Sequence, residues 1–317
     1  MKIVLLEALG IPAEELQKYA EKLEAAGHTF QAYEKNTDPQ IQTERAKDAD
    51  VIMLANMPLS GEVIRSCPSL KFIDVAFTGV DHVDLEAARE RRIAVSNASG
   101  YSNESVAELV LGMAIDLFRN IPQVEKRCRQ QGTKDGLVGR ELKGHTVGII
   151  GYGAIGSRAA ELFHAMGCRI LAYSRHRKEN VPEYVTYVTL EELLEQSDLV
   201  SLHCPLTSET KGLIGRERIG RMKKSAVLIN AARGPVVDSQ ALADALNEGR
   251  IAGAGVDVFE MEPPVPADHP LLNAKNCLVT PHVAFASEES MKLRADIVFD
   301  SLDKWLEGGQ INTVLPR

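Results

Sequence analysis

The feature that most constrains the fold is a glycine-rich turn between an apolar strand and a helix. Residues 146–156 read TVGIIGYGAIG, in which Gly151, Gly153 and Gly156 form the pattern G-x-G-x-x-G. These glycines permit a tight turn, close approach of the backbone to a pyrophosphate, and close packing of the helix on the strand. The helix start adds unpaired N–H groups and a partial positive charge. The segment therefore predicts the phosphate-binding turn of a dinucleotide-binding domain.

Strand-like and helical patterns alternate on both sides of this turn. Such alternation indicates βαβ units and parallel sheets with helices on both faces. The long helix predicted over 103–119 is apolar nearly all round, which is typical of a buried helix. The predicted strands are residues 2–6, 29–33, 51–55, 70–76 and 93–96, followed by residues 146–150, 169–173, 199–202, 226–230, 252–256 and 277–280.

The two strand series indicate two doubly wound parallel-sheet domains, an α/β fold. At 317 residues the chain is long enough for both. We expect the helix predicted over 287–306 to return to the first domain. The predicted boundaries are therefore residues 1–98 plus 286–317 for one domain, and residues 99–285 for the dinucleotide-binding domain.

Composition excludes several classes of protein. The chain has 36 Lys and Arg against 44 Asp and Glu, a net charge of −8, and no long basic run, so neither a nucleic acid nor a membrane is an expected partner. The first apolar run, residues 3–6, is too short for a signal peptide. Five cysteines without a CxxC pair argue against a disulfide framework and a structural zinc site. We expect a cytoplasmic protein without a metal.

The end of the second strand after the glycine turn departs from the usual pattern. Such strands commonly end in an Asp or Glu that binds the ribose 2′-hydroxyl. Here RILAY (169–173) is followed by Ser174, Arg175, His176 and Arg177. This turn is either a solvated basic loop or part of a pocket that accepts a 2′-phosphate.

Three later segments place reactive side chains just after predicted strands. NAARGPVVD carries Arg233, GVDVFEMEPP carries Asp257 and Glu262, and TPHVAFAS carries His282. In open α/β sheets ligands bind beyond the carboxyl ends of the strands, so these segments can converge on one crevice. The structural alternatives are a surface arginine, an exposed loop carboxylate and a core histidine.

With these motifs the chain resembles the D-isomer-specific 2-hydroxyacid dehydrogenases over essentially its whole length. Residues 80–108, the G-x-G-x-x-G turn, HCPLT at 203–207 and the Arg, Glu and His segments occur in the family's order. The resemblance implies a flavodoxin-like substrate domain and a Rossmann dinucleotide-binding domain. It also implies an oxidoreductase that transfers a hydride between a nicotinamide cofactor and a small 2-oxo or D-2-hydroxy acid.

The resemblance also implies catalytic roles. His282 is the general acid in reduction and the base in oxidation, and Glu262 holds its imidazole by a charge-assisted hydrogen bond. Arg233 grips the substrate carboxylate with its forked guanidinium and polarises the keto oxygen. Thr78 and Gly79 offer backbone N–H groups to the same carboxylate, so the reaction is expected between the domains.

Cofactor contacts follow from the same resemblance, with Asp257 facing the nicotinamide amide. We expect NADP(H) to be favoured and NAD(H) to be usable, because Ser174 removes a repulsive carboxylate and Arg175 adds a cation. The residues implied to bind the cofactor are Gly151, Tyr152, Gly153, Ala154, Ile155, Gly156, Ser174, Arg175, Cys204, Pro205, Ala231, Ala232, Asp257 and His282.

The expected substrate is a 2-oxo acid of the glyoxylate or hydroxypyruvate type. A serine-regulated phosphoglycerate dehydrogenase is disfavoured, because residues 75–77 read Val-Ala-Phe where that group commonly has Arg-Ala-Gly, and because no long extension follows the last helix. A homodimer is expected through the helix 103–119 and the arm 120–143. Two alternatives stay open: a formate- or phosphite-type dehydrogenase, although formate dehydrogenases usually carry Gln where Glu262 stands, and a non-catalytic NAD(H)-sensing protein like the C-terminal-binding-protein corepressors.

Overall fold

The structure, a computed structural model, describes residues 1–316, which form two compact units. The first unit comprises residues 1–102 and the chain from Ala286 onward, and the second comprises Asn103–Phe285. The first boundary lies after Ser102 rather than after residue 98. The reason is local, since Tyr101 donates its N–H to the carbonyl of Ala98 at 3.5 Å and its ring packs near Phe77 of the first unit, with centroids 6.1 Å apart.

The first unit is built on a six-stranded sheet. Its strands are β1 (Lys2–Leu5), β2 (Thr29–Ala32), β3 (Val51–Leu54), β4 (Phe72–Val75), β5 (Ala94–Asn97) and β13 (Thr313–Leu315). They follow the order β13-β5-β4-β3-β1-β2, and all pairs are parallel except β13 with β5. Its helices are α1 (Ala13–Ala25), α2 (Pro39–Ala46), α3 (Gly61–Arg65), α4 (Leu85–Glu90) and α11 (Glu288–Leu306).

The core of the first unit lies between the sheet and its helices. Every residue of β3 and β4 is buried. Helix α11 begins at a Ser287 cap and buries an apolar stripe on its sheet-facing side, which ends in Trp305. The Trp305 indole stacks on Phe72 of β4 with ring centroids 4.9 Å apart.

A carboxyl group lies inside this core. Asp74 in the middle of β4 is 0% exposed, and its Oδ1 accepts a hydrogen bond of 3.2 Å from the hydroxyl of Ser301 on α11. Among the described residues, no donor lies within hydrogen-bonding distance of its Oδ2. Burial without a cation raises the pKa of Asp74 well above its usual value, so burial favours the protonated form of this carboxyl in the folded chain.

The second unit is built on a seven-stranded, fully parallel sheet. Its strands are β6 (Thr146–Ile150), β7 (Arg169–Tyr173), β8 (Val185–Tyr187), β9 (Leu199–Leu202), β10 (Val227–Asn230), β11 (Gly253–Val256) and β12 (Cys277–Val279). They follow the order β12-β11-β10-β9-β6-β7-β8, so the direction of winding reverses between β6 and β9. Its helices are α5 (Asn103–Arg119), α6 (Ile121–Arg129), α7 (Ala154–Ala165), α8 (Leu190–Gln196), α9 (Arg216–Arg221) and α10 (Ser239–Asn247).

Both faces of this second sheet are covered by buried apolar clusters. One cluster includes α5 and α7, and Met113 and Phe118 of α5 are among its members. The other includes α8 and α10. This arrangement leaves a crevice outside the carboxyl ends of the strands at the reversal point, which is where ligands bind in open α/β sheets.

The α/β fold with two parallel-sheet domains is confirmed, with two differences in detail. The sequence reading missed β8 and β13, which are three residues each and only partly buried, and it missed the antiparallel direction of β13. No described helix is both long enough and apolar enough to cross a membrane.

Candidate functional site

The glycine turn sits at the carboxyl end of β6 and requires glycine at two positions. Gly151 has φ of 96°, and a Cβ there would lie 2.6 Å from the backbone nitrogen of Cys204. A Cβ on Gly156 would lie 2.1 Å from the carbonyl oxygen of Gly151. By contrast, a Cβ on Gly153 would meet nothing within 4 Å. The first and third glycines therefore allow close packing, whereas Gly153 leaves open space in front of α7.

A cavity of about 530 Å³ opens at this turn, within the range of small-molecule sites. It is formed by the chain after β6, β7 and β9, the strands at the reversal point. Seven predicted cofactor residues line it, namely Gly151, Tyr152, Gly153, Ser174, Arg175, Cys204 and Pro205. The other seven, which do not line it, are Ala154, Ile155, Gly156, Ala231, Ala232, Asp257 and His282.

Ser174 connects the end of β7 to the glycine turn. Its hydroxyl oxygen accepts a hydrogen bond of 2.7 Å from the backbone N–H of Tyr152. An aspartate carboxylate at this position could accept the same bond. Ser174 thus supports the turn without placing a negative charge in the cavity.

Three cationic side chains follow Ser174 along the cavity wall, and their contacts differ. Arg175 donates to the carboxylate of Glu209, which lines the same cavity. The guanidinium of Arg177 lies 5.5 Å from the ring centroid of Tyr187, and the ammonium of Lys178 lies 5.3 Å from that of Tyr152. Aromatic rings hold two of these cations, whereas a carboxylate holds Arg175.

His203 and Cys204, after β9, are uncharged wall residues. The Nε2 of His203 lies 2.8 Å from the hydroxyl of Ser201, and burial lowers the pKa of the imidazole to about 4. Burial raises the pKa of the Cys204 thiol to about 11. At neutral pH neither residue is charged, so Cys204 is no thiolate nucleophile.

Glu262 and His282 form a hydrogen-bonded pair. Glu262 lies in the loop after β11, and His282 lies in the loop after β12. The imidazole Nδ1 lies 2.8 Å from Oε2 and 3.0 Å from Oε1 of Glu262. Because a carboxylate only accepts hydrogen bonds, Nδ1 carries a proton and Nε2 is the nitrogen left for acid–base chemistry. The ring of Phe285 packs edge-on against the imidazole, with centroids 5.4 Å apart.

The backbone of His282 adopts a left-handed conformation that histidine rarely takes. Its φ is 55°, and its N–H donates to the carbonyl of Asp257 at 2.8 Å. Strain of this kind persists only where the surroundings fix it, and it is concentrated at functional sites.

Asp257 supplies most of the fixing contacts. Its side chain is 0% exposed, and Oδ1 accepts from the hydroxyl of Thr280 at 2.6 Å and from the N–H of Val283 at 2.9 Å. Its Oδ2 accepts from the N–H of Ala284 at 2.9 Å. The resemblance implies a contact with the nicotinamide amide, but the carboxylate is directed to the segment on both sides of His282.

Arg233 follows β10 in a turn that Asn230 holds. The amide of Asn230 donates to the carbonyl of Arg233 at 3.0 Å, and its oxygen accepts from the N–H of Ala232 at 3.1 Å. The Nη1 of Arg233 donates to the carbonyl of Ala232 at 2.8 Å. Gly234 comes next and packs on the backbone of Phe259, in the loop that leads to Glu262.

A second histidine–carboxylate pair, His269 with Glu260, stabilises the loop that carries Glu262. His269 is 8% exposed, and its Nε2 lies 3.0 Å from Oε2 of Glu260 while its Nδ1 accepts from the N–H of Leu271 at 3.4 Å. The proton therefore lies on Nε2, which donates to Glu260. Although burial opposes ionisation, hydrogen bonds from Ser239 and His269 hold the pKa of Glu260 below its usual value.

Sequence reasoning missed Asn230, Glu260 and His269. An asparagine at the end of a buried strand was one available signal, since its amide readily bonds nearby backbone. The Glu260–His269 pair offered no comparable signal, because the contact joins residues that are separated by a loop.

Thr78 and Gly79 lie in the first unit, after β4. The amide of Asn97 donates to the carbonyl of Thr78 at 2.7 Å, which fixes the loop from the end of β5. The hydroxyl oxygen of Thr78 is buried, and among the described residues it has no hydrogen-bond partner. Phe77 and Tyr101 pack nearby with ring centroids 6.1 Å apart.

Comparison with known proteins decides the family. The model described as "D-isomer specific 2-hydroxyacid dehydrogenase, NAD binding domain" matches residues 111–284. A hydroxypyruvate reductase of Blautia hydrogenotrophica is 36% identical, with 99% of each chain covered. The chain belongs to the D-isomer-specific 2-hydroxyacid dehydrogenase family. The matched residues lie within the second unit, which is therefore the family's NAD-binding domain.

Two solved structures agree with this assignment. A D-lactate dehydrogenase of Aquifex aeolicus, in complex with NAD and lactic acid, has a TM-score of 0.89 and 31% identity, with 100% of both chains covered. An acyclic imino acid reductase in complex with NADPH and D-Arg has a TM-score of 0.90 and 26% identity, with 99% of this chain and 100% of that chain covered.

Membership of the D-2-hydroxyacid dehydrogenases establishes the general reaction. The protein is an oxidoreductase that acts on CH–OH donors and transfers a hydride between a nicotinamide cofactor and a 2-oxo or 2-hydroxy acid. The expected family and reaction are confirmed.

Proposed function

We propose that this protein is a reductase of small 2-oxo acids of the hydroxypyruvate or glyoxylate type. The observation that carries the proposal is the Glu262–His282 pair, whose loop packs on the Arg233 turn within the unit that holds the dinucleotide cavity. A relative of nearly equal length is named a hydroxypyruvate reductase, which supports the substrate class.

The residues present fit a nicotinamide dinucleotide. Gly151 and Gly156 are positions where a side chain would collide with the backbone, and Gly153 leaves open space at the start of the 12-residue helix α7. We assign the pyrophosphate to this turn and the adenosine end to the cavity beside Ser174 and Arg175. Ala154, Ile155, Ala231 and Ala232 are further proposed contacts. When bound, the reduced cofactor supplies the hydride.

His282 supplies the proton. Because Nδ1 is bonded to Glu262, the Nε2–H of the imidazolium donates to the oxygen that becomes the hydroxyl, and neutral Nε2 takes the proton back in oxidation. Glu262 stabilises the imidazolium by its charge and fixes the ring plane. Asp257 is a positioning residue that holds the strained His282 backbone.

Arg233 binds and polarises the substrate. Its guanidinium can contact the carboxylate and the keto oxygen together, which a single ammonium cannot do. Asn230 fixes the turn so that this geometry is set before binding. We propose that the backbone N–H groups of Thr78 and Gly79 also bind the substrate carboxylate, with their loop held by Asn97.

We further propose that NADP(H) is preferred, that NAD(H) is usable, and that the protein is a homodimer. Ser174 brings no negative charge, and the cavity wall carries three cations against the single carboxylate of Glu209, so a 2′-phosphate meets a net attraction. For the dimer, α6 has no buried residue and carries Ile121 at 40% exposure, while Val138 further along the arm is 78% exposed. These exposed apolar side chains lie in the segment that we propose as the dimer interface.

The test is oxidation of NADPH and NADH, followed by absorbance at 340 nm, against a panel of 2-oxo acids. Hydroxypyruvate or glyoxylate should give the highest kcat/KM, and Arg233→Lys should lower it through both KM and kcat, because the guanidinium is proposed to bind the carboxylate and to polarise the keto oxygen. Arg216→Lys, at an exposed arginine of the same unit outside the cavity, is the matched control. Failure of the whole panel while cofactor still binds would overturn the proposal and favour a nucleotide-sensing protein.

A further inference from the structure

We infer that Glu209 weakens the preference for a 2′-phosphorylated cofactor by competing with that phosphate for Arg175. The inference rests on the proposed binding of NAD(P)H in the cavity after β6, β7 and β9. Glu209 is not among the site residues predicted from the sequence.

Glu209 is placed to face the ribose end of that cavity. Arg175 follows β7 and Glu209 follows β9, and Nη1 of the arginine donates to Oε2 of the glutamate. Both residues line the cavity. Among the described residues that line it, Glu209 is the only carboxylate. The acidic group that is missing at position 174 is thus present on the neighbouring segment.

The backbone of Glu209 is fixed although its side chain is not. Its N–H donates to the hydroxyl of Thr207 at 3.3 Å. The Thr210 hydroxyl accepts from the N–H of Thr207 at 2.7 Å and donates to the carbonyl of Pro205 at 2.6 Å. The side chains of Glu209 and Arg175 are each 63% exposed. The carboxylate therefore stays at the cavity mouth and can still release the arginine by rotating into water.

This ion pair contributes little to the fold. Exposed pairs are screened by water and cost side-chain entropy to form, so their net effect on stability is small. A phosphate monoester carries nearly two negative charges at neutral pH and accepts paired hydrogen bonds from a guanidinium. It can therefore take Arg175 from Glu209, but the displaced carboxylate remains close and repels it.

A cofactor with a 2′-hydroxyl leaves the pair intact and meets no such repulsion. Glu209 accordingly penalises NADP(H) and spares NAD(H), so that one cavity accepts both. Arg177 and Lys178 cannot fully replace Arg175, because their cations lie against the rings of Tyr187 and Tyr152.

The test is calorimetric binding of two cofactor fragments, 2′,5′-ADP and 5′-AMP, to the full chain at fixed pH and ionic strength. In Glu209→Gln, 2′,5′-ADP should bind about 5- to 10-fold more tightly, while 5′-AMP should change less than about twofold. Glu217→Gln removes the same charge outside the cavity and should change neither affinity. In an Arg175→Ala background the gain from Glu209→Gln should fall to about twofold or less.

Three results would overturn the inference: an unchanged affinity for 2′,5′-ADP, an equal gain for 5′-AMP, or a full gain without Arg175. Failure of both fragments to bind the wild-type chain is a separate result. It would overturn the cofactor cavity assigned in the proposed function, and the role of Glu209 with it.

Discussion

Gly234 lies directly against the carbonyl of Phe259, where a Cβ would be 2.0 Å from both the carbonyl carbon and its oxygen. This contact joins the turn that carries Arg233 to the loop that carries Glu262. The two catalytic segments therefore cannot shift independently. No flexible side chain is involved, so the backbone itself would have to yield to any substituent.

Gly234→Ala should therefore lower kcat/KM by about 100-fold or more, since small displacements of catalytic groups carry penalties of this size. Activity and thermal unfolding should be measured together. Gly215→Ala is the control, because its Cβ would meet nothing closer than 3.7 Å. Near-normal activity in a folded Gly234→Ala protein would show that the two segments are not coupled in this way.

His282→Ala should lower kcat by about 10²–10⁴-fold, because the proton donor for the developing hydroxyl is lost. Cofactor binding, measured by quenching of protein fluorescence, should remain within about twofold of wild type, since the cavity wall lies elsewhere. His164→Ala, which removes a histidine stacked on Tyr184 outside the cavity, serves as the control. The assignment fails if His282→Ala turns over at a comparable rate.

Ser174→Asp should move cofactor preference towards NADH. The new carboxylate can keep the bond to the Tyr152 N–H, so the turn should survive, while it repels a 2′-phosphate. Two like charges about 4 Å apart cost about 1 kcal/mol in water and several times more in a partly buried crevice. The ratio of kcat/KM for NADPH to that for NADH should fall at least about fivefold, and Ser174→Asn is the uncharged control. A ratio that does not move would show that this turn does not set the choice.

Light scattering at micromolar concentration should give the mass of two chains. Ile121→Glu should shift that mass towards one chain, because it places a charge on the exposed apolar face of α6. Met166→Glu makes the same change at a side chain that is 44% exposed elsewhere in the second unit and should leave the dimer intact. A monomeric wild type would contradict the proposed interface.

Asp74→Asn should flatten the dependence of stability on pH. The unfolded carboxyl ionises near 3.8, whereas the folded one holds its proton to higher pH. The contribution of this carboxyl to the free energy of unfolding is fully present below the unfolded pKa. It decreases as the pH rises and is lost once the folded pKa is passed. Each pKa unit of separation corresponds to about 1.4 kcal/mol. Asn carries no proton to lose, so the melting temperature should fall less between pH 4.5 and 8 than in wild type.

The control for this last prediction is Glu44→Gln, which removes an exposed carboxyl from the same unit. Its pH profile should follow that of the wild type. If Asp74→Asn kept the wild-type slope, Asp74 would have to be ionised in the folded chain.

The parts of the fold that sequence predicted best have local causes. Helix α5 was predicted with its observed bounds, Asn103–Arg119, because an unbroken apolar period specifies a helix. Strands β6 and β7 also have the predicted bounds, since each is a short apolar run closed by polar or glycine residues. Strand β13 was missed because its three residues form a strand only by pairing with β5, about 220 residues earlier in the chain.

The same distinction applies to the candidate site. Arg233, Glu262 and His282 stand in motifs that are visible in the sequence, and the structure joins the last two by a hydrogen bond. The role of Asp257 could not be predicted from the sequence, because its carboxylate accepts hydrogen bonds from residues between Thr280 and Ala284, and these contacts form only in the folded chain. The pairing of Arg175 with Glu209 could not be predicted either, because only the strand order of the sheet brings these two residues together.

The left-handed backbone conformation at position 282 does not require the catalytic side chain that stands there. Glycine and asparagine adopt this conformation more readily than histidine does, so either residue at this position would lower the backbone strain. The fold thus places no demand of its own on the imidazole, and Asp257 would hold the same loop whichever side chain stood there. A single exchange at this position should therefore leave a chain that still folds and binds its dinucleotide but reduces its substrate about 10²–10⁴-fold more slowly. In this architecture one substitution should separate an efficient reductase from a protein that mainly binds nucleotide.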